Sequence, residues 1–329
     1  MKRLFFLTVC LCVLSHLSTG SGNRLLGATS YTDRAIKLVQ QDNIKGAIQI
    51  LDSAITAGVR DELTYHFLVN CYMQSNNRKM AVATCDSALT YFPNSARIYC
   101  EWGYLDRGEG NPIQAVVRWE YGVQCDPTYP DNYIPLIDNN YEQNDRLWSA
   151  FYGEIFLNTS STERNIETVS GRIYDAIFSS LAACDSSIDN FRFSSARTSY
   201  IPGQVDSSKY SFTFAASLQM IHAYHHLCGE NFTRSLASLV ALWREFDAAW
   251  YRSIYATKWK NPVIEYHHEL IKAGLLEPYC YLMYRMGDTK EFEKYARNNA
   301  GKLQKLVKYM STSPMKLGEG YNVSKVYGY

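Results

Sequence analysis

Five of the chain's seven histidines fall in two short clusters, His222, His225 and His226 in one and His267 and His268 in the other. His222 and His226 stand four residues apart, so on a helix they share a face and could both reach one metal ion. Glu265 and His268, three apart, could complete such a set from a facing helix, giving a metal-dependent enzyme. The plainer reading is that these histidines are partly exposed or hydrogen-bonded inside, since no His-Glu-x-x-His pairing occurs. No Gly-x-Ser-x-Gly elbow and no Gly-rich phosphate loop is present either. The expectation is therefore no enzyme, no metal and no cofactor. The cysteines outside the N-terminal apolar run are Cys71, Cys85, Cys100, Cys125, Cys184, Cys228 and Cys280. None forms a Cys-x-x-Cys pair, and Cys71 with Cys85 is the one disulfide worth considering. Arg164, Arg172, Arg192 and Arg197 could meet an anionic partner or simply be solvated. Asn158, Asn231 and Asn322 begin Asn-x-Ser/Thr sequons, relevant in a host that glycosylates secreted chains.

What must position these residues is a repeat. Tyr31, Tyr65, Tyr99 and Tyr133 keep a step of 34 residues. So do Ala47, Ala81, Ala115 and Ser149; Ala54, Ala88, Gly122 and Phe156; and Asn43, Asn77, Asn111 and Asp145. Phased rows over about four periods imply internal repetition. Each period holds two helix-length segments around a turn. In the second, Leu63 to Met73 places Tyr65, Leu68, Val69 and Tyr72 on one helical stripe. Ser75, Asn76 and Asn77 break that helix and cap the next, from about Arg78 to Tyr91, which Pro93 stops. The small residues of the alanine rows let two helices approach closely.

The pattern resembles the tetratricopeptide repeat, a 34-residue helix–turn–helix unit, over about Thr29 to Thr162. Tyr99, Trp102, Gly103, Ala115, Trp119, Gly122 and Pro127 match its large, small and proline positions best. The second period matches through Tyr65, Leu68, Tyr72, Ala81, Ala88 and Pro93. The first departs at Arg34, and the fourth carries Ser149, Gly153 and Phe156 where small, large and small residues belong. In that family the first helix of each unit lines a concave surface. The resemblance thus implies binding positions at His66, Asn70 and Gln74, at Arg97, Tyr104 and Arg107, and at Asp138 and Tyr141. A polar and aromatic face of this kind suits an extended peptide, though the same residues could be the exposed halves of ordinary helices. Tyr104 and Arg107 are expected to be replaceable without loss of stability. The chaperone-tail variant of the family is not expected, because its Lys and Asn positions hold Thr32, Ile36, Phe67, Arg97 and Glu101.

Formal net charge is +1, so no global field favours nucleic acid. The 26 tyrosines suit helix packing and, secondarily, wet grooves. Lys2 and Arg3, the apolar run Leu4 to Leu14, and Ser18 and Gly20 read as a signal peptide over residues 1–20, with an uncleaved anchor as the lesser alternative. Beyond the array, residues 163–312 read as a C-terminal helical region and 313–329 as a frayed tail. Helices are expected at Ile166 to Ala183, Lys209 to Leu227, Phe232 to Tyr255, Pro262 to Ala273, Leu275 to Met286 and Thr289 to Met310, with a Ser-rich loop at 185–208. This half could be divergent repeats or a separate helical domain. A short repeat block before a helical region without assigned chemistry also looks like exported tetratricopeptide proteins of Gram-negative bacteria. The expectation is an all-α, tetratricopeptide-like helical hairpin solenoid followed by a C-terminal helical region. Its expected function is non-enzymatic protein or peptide binding in the envelope or outside the cell, with peripheral envelope association possible. An extracellular glycan binder using exposed Trp148, Trp250 and Trp259 is the alternative.

Overall fold

Turns set the architecture of the first half. The structure, a computed structural model, describes residues 26–160, 162–163, 165–184, 211–227 and 232–325. At Asp42, Asn76, Gly110 and Asn144 the backbone enters the left-handed region, with φ of 59°, 57°, 77° and 61°. These positions again lie 34 residues apart. The residue after each, Asn43, Asn77, Asn111 or Asp145, donates its N–H to the carbonyl five residues back. The acceptors are Leu38, Tyr72, Asp106 and Asn140, at 2.8, 2.8, 3.0 and 2.9 Å. Such a bond closes the end of one helix, and the same residue is the N-cap of the next. Asn43 and Asn77 complete the cap by accepting from the amides of Gly46 and Met80. The asparagine row is thus a row of helix caps, and Asp, Asn or Gly precedes it because those residues tolerate positive φ. Replacing Asn76 with valine should destabilise the protein by about 1–2 kcal/mol. Urea unfolding reads this out, and an unmoved midpoint would mean that the turn relaxes to another conformation.

The helices so punctuated are α1 (Leu26–Gln40), α2 (Ile44–Thr56), α3 (Glu62–Gln74), α4 (Arg78–Tyr91), α5 (Ala96–Gly108) and α6 (Pro112–Cys125). They pair as three consecutive hairpins within a first compact unit, 26–132, which ends in a short 3-10 turn, Pro130–Asn132. Ala47, Ala81 and Ala115 are fully buried, as are Ala54 and Ala88. A Cβ on Gly122 would come within 2.5 Å of the Asn132 amide. The small rows therefore sit where backbones meet, and Leu51, Leu68, Val69, Cys85 and Ile98 fill the core between them.

The second unit, 133–325, contains α7 (Tyr133–Glu142), α8 (Arg146–Thr159), α9 (Ile166–Cys184), α10 (Phe212–Leu227), α11 (Leu236–Arg252), α12 (Tyr255–Lys258), α13 (Pro262–Lys272), α14 (Leu276–Met283), α15 (Thr289–Asn298) and α16 (Ala300–Thr312). The fourth period of the repeat, α7 with α8, thus folds with the C-terminal helices. Every regular element among the described residues is helical. Gly153 stands where the resemblance implied a large residue, because Ile173 of α9 occupies that volume; a Cβ there would lie 2.1 Å from it. The helix expected to run through Thr289 to Met310 is broken at Asn299, which ends α15 and starts α16. Gly274 repeats the left-handed turn, φ 70°, and Leu275 donates to Leu270 O at 2.8 Å, so α13 and α14 are joined as the N-terminal hairpins are.

The frayed tail is a correction. Residues 315–325 return to the unit: Met315, Asn322, Val323 and Ser324 are buried, and Asn322 N–H donates to Lys260 O at 2.7 Å. No helix among the described residues is long and apolar enough to cross a membrane. The signal peptide, the Ser-rich loop and Arg164, Arg192 and Arg197 lie outside the described residues.

Candidate functional site

In the first unit the first helices of successive hairpins touch one another, α1 against α3 and α3 against α5. The second helices α2, α4 and α6 share no comparable contact. One continuous layer therefore runs through the unit, and polar groups stitch it. Thr32 and Thr64 hydroxyls meet at 3.3 Å, His66 Nδ1 lies 3.2 Å from Glu101 Oε1, and the Ser95 hydroxyl donates to Glu62. Thr32 and Glu101 are thus spent on joining neighbouring hairpins.

The expected binding residues divide by what they already hold. Gln74 and Arg107 are exposed, and His66, Asn70 and Tyr104 are half-buried beside them. Asn70 donates its amide to His66 O at 3.1 Å within α3. Tyr104 packs edge-on against Trp119 with ring centroids 5.4 Å apart, and burial pushes its phenol pKa up. That ring packs on a core indole, so its removal would cost stability as well as contact, unlike the expected neutrality. Arg97 stacks over Tyr129, 4.8 Å from the ring centroid, and so holds the loop after α6.

Asp138 and Tyr141 belong to the second unit and are occupied there. Asp138 pairs with Arg172 at 3.4 Å. The Tyr141 ring carries the Arg146 and Arg172 guanidinium carbons at 3.5 and 4.4 Å from its centroid, and its hydroxyl donates to Asp175. Arg234 pairs with the same carboxylate at 2.7 Å. Burial alone would raise the Asp175 pKa, but the Tyr141 and Arg234 hydrogen bonds and the nearby arginine charges outweigh it and hold it below the ordinary value.

The metal-like histidine set is not assembled. His226 Nδ1 lies 3.1 Å from Glu245, whereas His268 Nδ1 lies 3.0 Å from Asp247 and its ring stacks on Tyr251 at 3.8 Å. Glu245 and Asp247, two apart on α11, point roughly 200° apart around the helix axis. Helix α11 therefore stands between His222/His226 and His268. Among the described residues, no three His, Cys, Asp or Glu side chains gather with geometry for one metal ion. Between α10 and α11 lies a cleft of about 320 Å³, lined by Gln219, His222, His226, Glu245, Arg252 and Ser253 over Ala223 and Ala249.

Burial bears on the remaining candidates. Cys71 and Cys85 are unbridged, and desolvation pushes the Cys71 thiol up to about 11, which suits an inert packing side chain. Trp148 and Trp250 are fully buried, so neither offers a stacking platform; Trp259 is half-buried. The sequon residues Asn158 and Asn322 turn inward, Asn158 donating to Tyr279 Oη at 2.8 Å and Asn322 being buried, while Asn231 lies outside the described residues. Sequence reasoning missed Glu154, a fully buried carboxylate reached by His267, Tyr279 and Tyr284. Its partners come from 113 to 130 residues away, and no local spacing signals them.

No protein-family model matches the chain, and no curated protein matches it.

Proposed function

We propose that this chain is a non-enzymatic protein- or peptide-binding scaffold built of tetratricopeptide-like hairpins, acting in the cell envelope or outside the cell. The observation that carries the reading is the continuous layer of first helices, α1 against α3 and α3 against α5, while the second helices share no comparable contact. Such a layer presents an uninterrupted strip of side chains, and Asn70, Gln74 and Arg107 form its exposed and half-exposed polar edge. A rigid face limits the entropy lost when a flexible ligand docks on it. Amide and guanidinium groups suit the carbonyls and acidic side chains of an extended peptide. The basic start and apolar run of residues 2–14 support export.

The test uses the three residues that carry little of the core. Peptides selected from a random display library on the wild-type protein should bind the variant Asn70→Ala/Gln74→Ala/Arg107→Ala at least about tenfold more weakly. The thermal midpoint should stay within a few degrees. Equal binding by the two proteins, or failure of the library to enrich any sequence, would remove this face from consideration.

A further inference from the structure

The cap row holds asparagine at 43, 77 and 111 and aspartate at 145. Asp145 does not cap its own helix with its side chain. It is almost wholly buried, and a carboxylate taken out of water needs a cation and hydrogen-bond donors. Lys325 supplies the cation: its ammonium pairs with Asp145 and donates to Asn140 Oδ1 at 3.1 Å. Asn140 is also buried and is oriented by donating its amide to Leu136 O at 2.8 Å. The backbone is held as well. Lys325 N–H donates to the buried Tyr152 hydroxyl at 2.7 Å, and Asn322 N–H donates to Lys260 O at 2.7 Å. Asn261 Nδ2 donates to Asn322 O at 3.2 Å.

We propose that this cradle on the α7–α8 hairpin is a recognition site for a lysine-bearing extended peptide, and that residues 321–325 are its resident, displaceable occupant. A buried carboxylate, a buried amide oxygen and a buried hydroxyl converge on one lysine and its backbone, a set that selects a primary ammonium on an extended chain. Displacement has a physical basis: both side-chain amide atoms of Asn322 are buried without a hydrogen-bond partner. That uncompensated desolvation weakens the strap's own hold. A partner carrying Lys after a short extended segment gains the same backbone bonds without that cost. The site is separate from the first-helix face and stands whether or not that face binds peptide.

The experiment uses the full chain and a fluorescent peptide of sequence Gly-Tyr-Asn-Val-Ser-Lys, followed by polarisation. The tethered strap competes at an effective concentration of about millimolar, so the wild-type chain should bind the peptide only in that range. The chain carrying Lys325→Ala should bind at least about tenfold more tightly. Alanine at the peptide's lysine position, or Asp145→Asn added to the variant chain, should abolish that gain. A folded Lys325→Ala chain that binds no better than wild type, or that binds the alanine peptide equally, would overturn the proposal. Should the variant not fold, hydrogen exchange on the wild-type chain decides. The amides of Asn322 and Lys325 should exchange well before those of α8, and exchange only on global unfolding would sink the idea.

Discussion

Replacing Glu154 with alanine should lower the stability of the protein by about 3–5 kcal/mol, the range for removing one member of a buried charged network. The carboxylate sits at the centre of the second unit with no solvent exposure. Its Oε2 lies 2.7 Å from His267 Nε2 and accepts from the Tyr279 hydroxyl at 2.8 Å, while the Tyr284 hydroxyl donates to Oε1. The network continues outward. Trp243 Nε1–H donates to Tyr284 Oη at 3.1 Å, and Asn158 donates to Tyr279 Oη at 2.8 Å. Burial, followed by the charge on Glu154, holds both phenols well above the ordinary tyrosine pKa, so they remain neutral donors. Alanine would strand two hydroxyls and an imidazole in a place water cannot reach. Glu154→Gln keeps the shape and an acceptor, so its loss should be clearly smaller. Urea unfolding at neutral pH measures both, and a loss below about 1 kcal/mol for alanine would mean that this centre admits water.

Trp119→Ala should cost about as much in the first unit, about 3–5 kcal/mol for a fully buried large aromatic residue. Trp119 is buried between α5 and α6, with its indole N–H on Cys100 O at 3.1 Å. Gly103 exists to admit it: a Cβ there would lie 2.2 Å from the indole nitrogen. Removing the indole leaves a void that Gly103 has no atoms to fill, and it takes away the ring on which Tyr104 packs. The pairing gives a sharper check than either change alone. Gly103→Ala should destabilise the wild-type chain yet be tolerated in the Trp119→Ala background. Additive losses would mean that the two residues do not share the contact.

The candidate binding and metal residues that already have partners within the chain share a common reason. Sequence spacing says which side chains share a face of one helix, but it does not say what stands opposite. His222 and His226 do share a face of α10, as their spacing requires, and α11 separates them from His268. Asp138 and Tyr141 lie on α7, yet arginines from α8 and α9 and a carboxylate from α9 had already engaged them. Tyr104 was legible as an aromatic residue on a first helix, but its contact with Trp119 depends on a hairpin closing. Gln74 and Arg107 are exposed at the C-terminal ends of their helices.

Local rules wrote the helices, their 34-residue rhythm and the cap at the start of each second helix. Those features depend on propensity, capping and side-chain size within a few dozen residues, so the chain's own order reveals them. Tertiary packing decided the rest: the burial of Glu154 among partners more than a hundred residues away, the return of Lys325 to Asp145, and which polar groups face water. Contacts between segments distant in the chain leave no periodic trace, because a single carboxylate or lysine looks the same in sequence whether it ends in solvent or in a core.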